Sequence, residues 1–171
     1  YLDVPAGSSL VSTISKSRPD RAILDTAAVL TVLRQPASPR HFRPPYSGTD
    51  KSLQFTTAQL NYSALKKLAP VAETPTLSSL ERKFERVWLD HIPGFYARYC
   101  HPEQNLEDYS RDFSRDIGDA ALLLNLNYSD DQKRDLLVSL VQLGIDNYRN
   151  IQLGSSLPEG NWPPMEGQNM G

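Results

Sequence analysis

Apolar positions recur with a helical period from Leu106 to Leu153, which predicts two helices joined by a tight turn. So short a connection makes the two helices antiparallel neighbours. Ser129 is the expected N-cap of the second helix, and Gln132 completes an S-x-x-Q capping box. The expected buried face of this helix follows the i, i+3, i+4, i+7 spacing and consists of Leu136, Leu137, Leu140, Val141, Gly144, Ile145 and Tyr148.

The first of these helices is predicted to begin near Asn105, a competent N-cap. Apolar residues nearly surround it from Ala120 to Leu126, which indicates burial between several elements. Gly118 lowers the helix propensity by about 1 kcal/mol. We therefore expect it to mark a close crossing with another helix.

The N-terminal part has a different pattern. Leu10 to Ile14 alternates like a half-buried strand, and 27–33 is a β-branched apolar run that suits a buried strand or a short helix. Together they favour a β-hairpin-like start. The proline-rich stretch 34–52 is predicted to be a loop.

Two further helices are expected before the central pair. One covers 57–68 and stops at Pro70, and the other runs from about Leu77 to His91 with Ser78 and Glu81 as a capping box. The expected fold is mainly α, built of antiparallel helical hairpins, with a short β-containing N-terminal segment. We divide the chain into a β/loop segment, 1–52, and a helical domain, 53–171, expected to continue in a longer parent protein.

Composition limits the possible functions of this chain of 171 residues, which is 39% hydrophobic and 22% charged. A net charge of −2 argues against a nucleic-acid binder, and no apolar run is long enough to span a membrane. The single cysteine excludes an internal disulfide and multi-cysteine metal sites. No nucleotide-phosphate or metal motif is present, so we expect no cofactor and no metal.

The densest cluster of candidate chemistry is Trp88, Asp90 and His91. An indole face, a carboxylate and an imidazole are the groups needed to grip a sugar ring and move a proton. In the alternative interpretation, Trp88 lies in the core while Asp90 and His91 cap the end of a helix before Pro93.

Two other polar groups each have two interpretations. The loop 34–52 carries His41, Arg43, Tyr46, Asp50 and Lys51, and is either a binding surface or a proline-stiffened linker wrapped on the helices. The second central helix has polar side chains at i, i+4 spacing that either line a cleft or face water: Gln142, Asp146 and Asn150.

The helical hairpins and the C-terminal segment GNWPPMEGQNMG resemble heparinase II/III-like lyases, polysaccharide-active enzymes built on an (α/α)-toroid. The resemblance covers roughly 77–171 and implies part of a toroid. It also implies a lyase or hydrolase acting on an extracellular polysaccharide, and a secreted or periplasmic protein. The implied catalytic residues are His91, Tyr109 and Arg111, and the implied substrate-binding residues are Trp88, Asp90, Trp162, Gln168 and Asn169.

A non-enzymatic function is the competing hypothesis. The chain would then be a helical interaction or structural module that binds a protein partner through the aromatic connector FYARY at 95–99. An enzyme requires a concave cleft with convergent polar groups, whereas an interaction module presents a flat apolar patch with a polar rim.

Overall fold

A computed structural model describes residues 2–17, 22–88 and 109–153 of the chain. Two strands come first, followed by three α-helices: β1 (Ser8–Ser17), β2 (Ala22–Val32), α1 (Leu77–Phe84), α2 (Tyr109–Leu124) and α3 (Asp130–Gln152). The long connection between β2 and α1 contains two 3-10 turns, Thr57–Gln59 and Tyr62–Ala64.

The two strands form an antiparallel hairpin, which confirms the predicted β-hairpin start. Leu10 pairs with Leu30, and a register irregularity falls between Ile14 and Ser15. Ala27 is buried and packs against Tyr46 and Val87, which joins the hairpin to the rest of the described structure. Leu30 and Ile14 remain exposed to solvent.

The main core lies between the three helices. Its buried residues come from α1 and the segment after it, from α2 and from α3: Leu80, Phe84, Trp88, Ala120, Leu123, Leu124, Leu136 and Leu143. The rings of Phe84 and Trp88 are stacked with centroids 5.0 Å apart. Leu122 is 67% exposed, so the apolar end of α2 is buried on one side rather than all round.

The start of α3 confirms the predicted capping box. The Ser129 hydroxyl accepts a hydrogen bond from the Gln132 backbone N–H at 3.2 Å, and the Gln132 side chain accepts one from the Ser129 N–H at 2.9 Å. Asp130 and Asp131 occupy the first turn, where carboxylates complement the helix dipole. Local chemistry therefore determines this helix start.

The helix predicted over 57–68 is wrong: the stretch forms two separate 3-10 turns, and its end is held by partners distant in sequence. Leu68 forms a parallel bridge with Leu126, in which its N–H donates to the Asn125 carbonyl at 2.9 Å. The Asn125 side chain accepts from the Lys66 N–H at 2.8 Å. These bonds use backbone groups that a continuous helix would pair internally.

Helix α1 begins at Leu77, as predicted, but it is shorter than predicted and has a different N-cap. Thr76, rather than Ser78, is the N-cap, and its hydroxyl accepts from the Ser79 N–H at 3.3 Å. The helix ends at Phe84, and residues 85–88 are not helical. Gly118 does not mark a close crossing, since an added Cβ would meet nothing within 4 Å.

The prediction of a mainly α fold that resembles part of a toroid is wrong. The described part of the chain combines a two-stranded antiparallel sheet with three α-helices, which share one core and do not form a ring of helical hairpins. None of the helices in these ranges has both the length and the apolar composition needed to cross a membrane.

Candidate functional site

An ion pair attaches the proline-rich loop to the middle of α3. Arg43 Nη1 donates to Asp146 Oδ1 at 3.0 Å, and Arg43 Nη2 donates to Oδ2 of the same carboxylate. Asp146 is buried, and burial raises the pKa of its carboxyl while the hydrogen bonds from Arg43 oppose that rise. This bidentate geometry is the strong form of an arginine–carboxylate contact.

Neighbouring polar side chains of α3 extend this attachment. The Tyr46 N–H donates to Asp146 Oδ1 at 3.1 Å. One helical turn away on either side, Gln142 donates to the Arg43 carbonyl at 3.1 Å and Asn150 donates to the Tyr46 hydroxyl at 3.0 Å. The polar strip on α3 therefore lies against the loop and orders it, instead of simply facing water.

Lys51 binds backbone carbonyls of its own loop. Its buried ammonium donates to the carbonyls of Pro45, Tyr46 and Ser47 at 2.7, 3.0 and 3.3 Å. Burial lowers the pKa of Lys51, and the nearby Arg43 charge lowers it further. The Lys51 ammonium nevertheless has three carbonyl acceptors, and these hydrogen bonds hold the backbone of 45–47 around it.

The loop and α3 enclose a cavity of about 590 Å³, here called the arginine cavity. Its lining comes from 42–55 and from the last turns of α3, and includes Phe42, Phe55, Ile145, Tyr148, Arg149 and Gln152. Phe55 is 47% exposed and Tyr148 is 64% exposed, so both rings are accessible. The sequence placed Tyr148 on the buried face of α3, but its side chain is exposed and lines this cavity together with the loop.

Arg149 is the cation that gives this cavity its chemical character. Its Nε is buried without a hydrogen-bond partner among the described residues, and Nη1 donates to the Gln152 side chain at 3.3 Å. Gly48, with φ of +71°, lies against the guanidinium, and an added Cβ there would be 2.9 Å from Nε. Glycine at this position therefore makes room for Arg149 and supplies the left-handed backbone.

The charges around the arginine cavity do not cancel. Asp50 accepts from the Ser52 N–H at 2.9 Å, and this bond is the main cause of the lowered pKa of Asp50. Asp50 and Asp146 are the acidic groups of this cluster, while Arg43, Lys51 and Arg149 are its cations. Two negative and three positive charges leave an excess of one positive charge.

A second cavity of about 390 Å³, here called the histidine cavity, lies between the hairpin and the helices. It shares Phe42 and Arg43 with the arginine cavity, so this two-residue segment separates the two spaces. The polar side chains in its lining include His41, Thr57, Glu85, Arg86, Ser139 and Gln142. His41 Nδ1 is buried and has no hydrogen-bond partner among the described residues.

Most of the site residues expected from the sequence lie outside the part of the chain that the structure describes. Asp90, His91, Trp162, Gln168 and Asn169 lie outside the described residues, as does the FYARY connector. Tyr109 and Arg111 fall in the first turn of α2, but their side chains are outside the described part. Their roles stay predictions.

Trp88 lies in the helical core. It is 3% exposed, and its indole N–H donates to the Lys83 carbonyl at 3.0 Å. This position agrees with the alternative interpretation from the sequence and leaves almost no indole surface for a ligand.

Sequence reasoning identified the loop and the polar strip of α3 as possible parts of a cleft, but it missed Arg149. A basic residue in the last helical turn has an ordinary explanation, because cations there stabilise the helix dipole.

Within the described ranges, no group of three or more histidine, cysteine, aspartate or glutamate side chains could hold a metal ion. Comparisons of the chain with protein-family models, curated proteins and solved structures find no match.

Proposed function

We propose that this chain is part of a carbohydrate-active protein and that the arginine cavity binds an acidic sugar unit of a polysaccharide. The cavity volume of about 590 Å³ lies within the range of ligand-binding clefts. Its lining is largely apolar with a few polar groups, which is the usual composition of such sites. The lining chemistry supports a saccharide more specifically.

Aromatic rings and amides occur together in this cleft. The accessible rings of Phe55 and Tyr148 offer apolar faces of the size of a sugar ring, and Tyr148 adds a hydroxyl. Gln54 and Gln152 each offer an amide that both donates and accepts hydrogen bonds. Sugars present the matching combination of an apolar ring face and hydroxyl groups at its edge.

The observation that carries the proposal is the Arg149 guanidinium, which lines the cavity and whose one hydrogen bond among the described residues goes to the neutral side chain of Gln152. A guanidinium binds a carboxylate through two parallel N–H···O bonds. The charge of Arg149 helps to lower the pKa of Asp50, yet the two side chains form no ion pair. The Asp50 carboxylate instead accepts hydrogen bonds from Ser52 and Gln54. A uronate carboxylate in the cavity would give the Arg149 guanidinium a charged acceptor.

Calorimetric titration with short uronate oligosaccharides tests the proposal. Arg149→Gln should weaken binding by about 10- to 100-fold, since a hydrogen bond to a charged group is worth about 1.5–3 kcal/mol. Arg134→Gln is the matched control, because Arg134 lies on the exposed surface of α3 and pairs with Asp131. It should leave the affinity unchanged.

Two results would contradict the proposal: no binding of any uronate oligosaccharide by the wild-type protein, or equal affinities for wild type and Arg149→Gln. The lyase or hydrolase activity implied by the resemblance to heparinase II/III-like lyases is the chemical step of the same proposal. Incubation of the protein with the polysaccharide, followed by an assay for new chain ends, measures that step separately from binding.

A further inference from the structure

We infer that the histidine cavity is a second subsite, which takes an uncharged, hydroxyl-bearing sugar unit next to the acidic unit in the arginine cavity. This inference rests on the proposed function of the arginine cavity. It extends that function from one bound unit to a disaccharide in which an acidic and a neutral unit adjoin.

The two cavities are adjacent. Both are lined by Phe42 and Arg43, and both lie along α3. Residues 141, 144, 145 and 148 of α3 face the arginine cavity, whereas residues 138, 139, 142 and 143 face the histidine cavity. At 100° per residue these sets are neighbouring faces of one helix. A ligand that passes over Arg43 can therefore contact both spaces.

Hydrogen bonds hold Arg43 in place between the two cavities. Arg43 is held by Asp146 through both guanidinium branches, and its Nη1 also donates to the Pro44 carbonyl at 2.9 Å. Gln142 holds the Arg43 carbonyl. Because these bonds occupy the guanidinium, Arg43 separates two sites instead of acting as an additional anion receptor.

The charge balance distinguishes the two sites. In the histidine cavity, Arg43 pairs with Asp146, and Arg86 lies 3.5 Å from the Glu85 carboxylate and donates to the Thr26 hydroxyl. With histidine counted as neutral, the two cations and two anions of its lining cancel. The arginine cavity, in contrast, carries one excess positive charge. An uncharged unit therefore fits the histidine cavity better than a second carboxylate.

Neutral polar groups provide the recognition in this second site. The side chains of Thr57, Ser139 and His41 line the space. Hydroxyl groups and neutral imidazoles both donate and accept hydrogen bonds, as sugar hydroxyls do. Apolar side chains such as Val138 supply the remaining surface.

The test compares three probes by calorimetry: a uronate monosaccharide, a disaccharide of two uronates, and a disaccharide of one uronate and one neutral sugar. We expect the mixed disaccharide to bind about 10-fold more tightly than either other probe. Ala28→Phe should remove this advantage, because Ala28 is an exposed residue of β2 that lines the histidine cavity alone of the two. It should leave the affinity for the monosaccharide unchanged.

Leu30→Phe is the control variant, since Leu30 is exposed on the same strand but lines neither cavity. It should retain the preference for the mixed disaccharide. Equal binding of the two disaccharides, or a preference that Ala28→Phe leaves intact, would overturn the second subsite while the proposed function of the arginine cavity stands. Absence of binding by all three probes would overturn both.

Discussion

Lys133 is a buried lysine that contributes to the fold through its aliphatic stem as well as through its charge. Lys133 is 1% exposed, although it lies in the second turn of α3. Its Nζ donates to the Lys66 carbonyl at 3.3 Å, and burial lowers the pKa of the ammonium. The aliphatic stem packs where an apolar side chain would otherwise be expected, and the charged end reaches one carbonyl of the connection that precedes α1.

Lys133 substitutions should separate packing from charge. We predict that Lys133→Ala lowers the free energy of unfolding by about 2–4 kcal/mol, because it deletes a buried stem and leaves a cavity. Lys133→Met keeps most of the stem and removes a desolvated charge, so its effect should stay within about 1 kcal/mol. Urea unfolding of both variants measures the difference. Equal losses in the two variants would assign the stabilisation to the ammonium instead.

At the scale of elements, the contact between the loop and α3 organises both cavities. Its centre is Asp146, whose carboxylate accepts from Arg43 and from the Tyr46 N–H. Removal of the carboxylate would leave the Arg43 guanidinium partly buried without its counter-charge. Loss of one partner from a buried ion pair is more destabilising than replacement of the pair as a whole.

We predict that Asp146→Ala lowers the free energy of unfolding by about 3 kcal/mol and abolishes uronate binding, because the loop loses its attachment to α3. Asp135→Ala, on the exposed surface of the same helix, should change stability by less than about 0.5 kcal/mol. Denaturant unfolding and calorimetric binding measure the two effects. Retention of binding by a folded Asp146→Ala protein would show that the cleft does not depend on this ion pair.

The same contact explains where sequence reasoning succeeded and where it failed. Ser129 and Gln132 are three residues apart, so their capping box could be predicted from local chemistry. Arg43 and Asp146 are separated by 103 positions, and no periodicity shows that they pair. The toroid prediction failed for a related reason, because helical periodicity identifies helices without specifying how successive helices pack.

At the scale of the whole molecule, burial is unevenly distributed. Among the described residues, the helical core has eight buried apolar side chains, whereas the cluster that joins the hairpin to the helices has one, Ala27, with Tyr46 and Val87 partly buried around it. Two-stranded hairpins are marginally stable by themselves. The hairpin should therefore open at a lower free energy than the helices, and the histidine cavity, which it partly lines, should open with it.

Native-state hydrogen exchange provides the measurement. We predict that amides paired between β1 and β2 exchange with opening free energies at least about 2 kcal/mol below those in the middle of α2 and α3, because fewer buried apolar contacts must be broken to expose them. Val87→Ala should lower the hairpin values further by about 1 kcal/mol, since it removes part of the cluster around Ala27. The same variant should leave α3 nearly unchanged. Identical opening free energies in both regions would mean that the hairpin and the helices unfold as one cooperative unit.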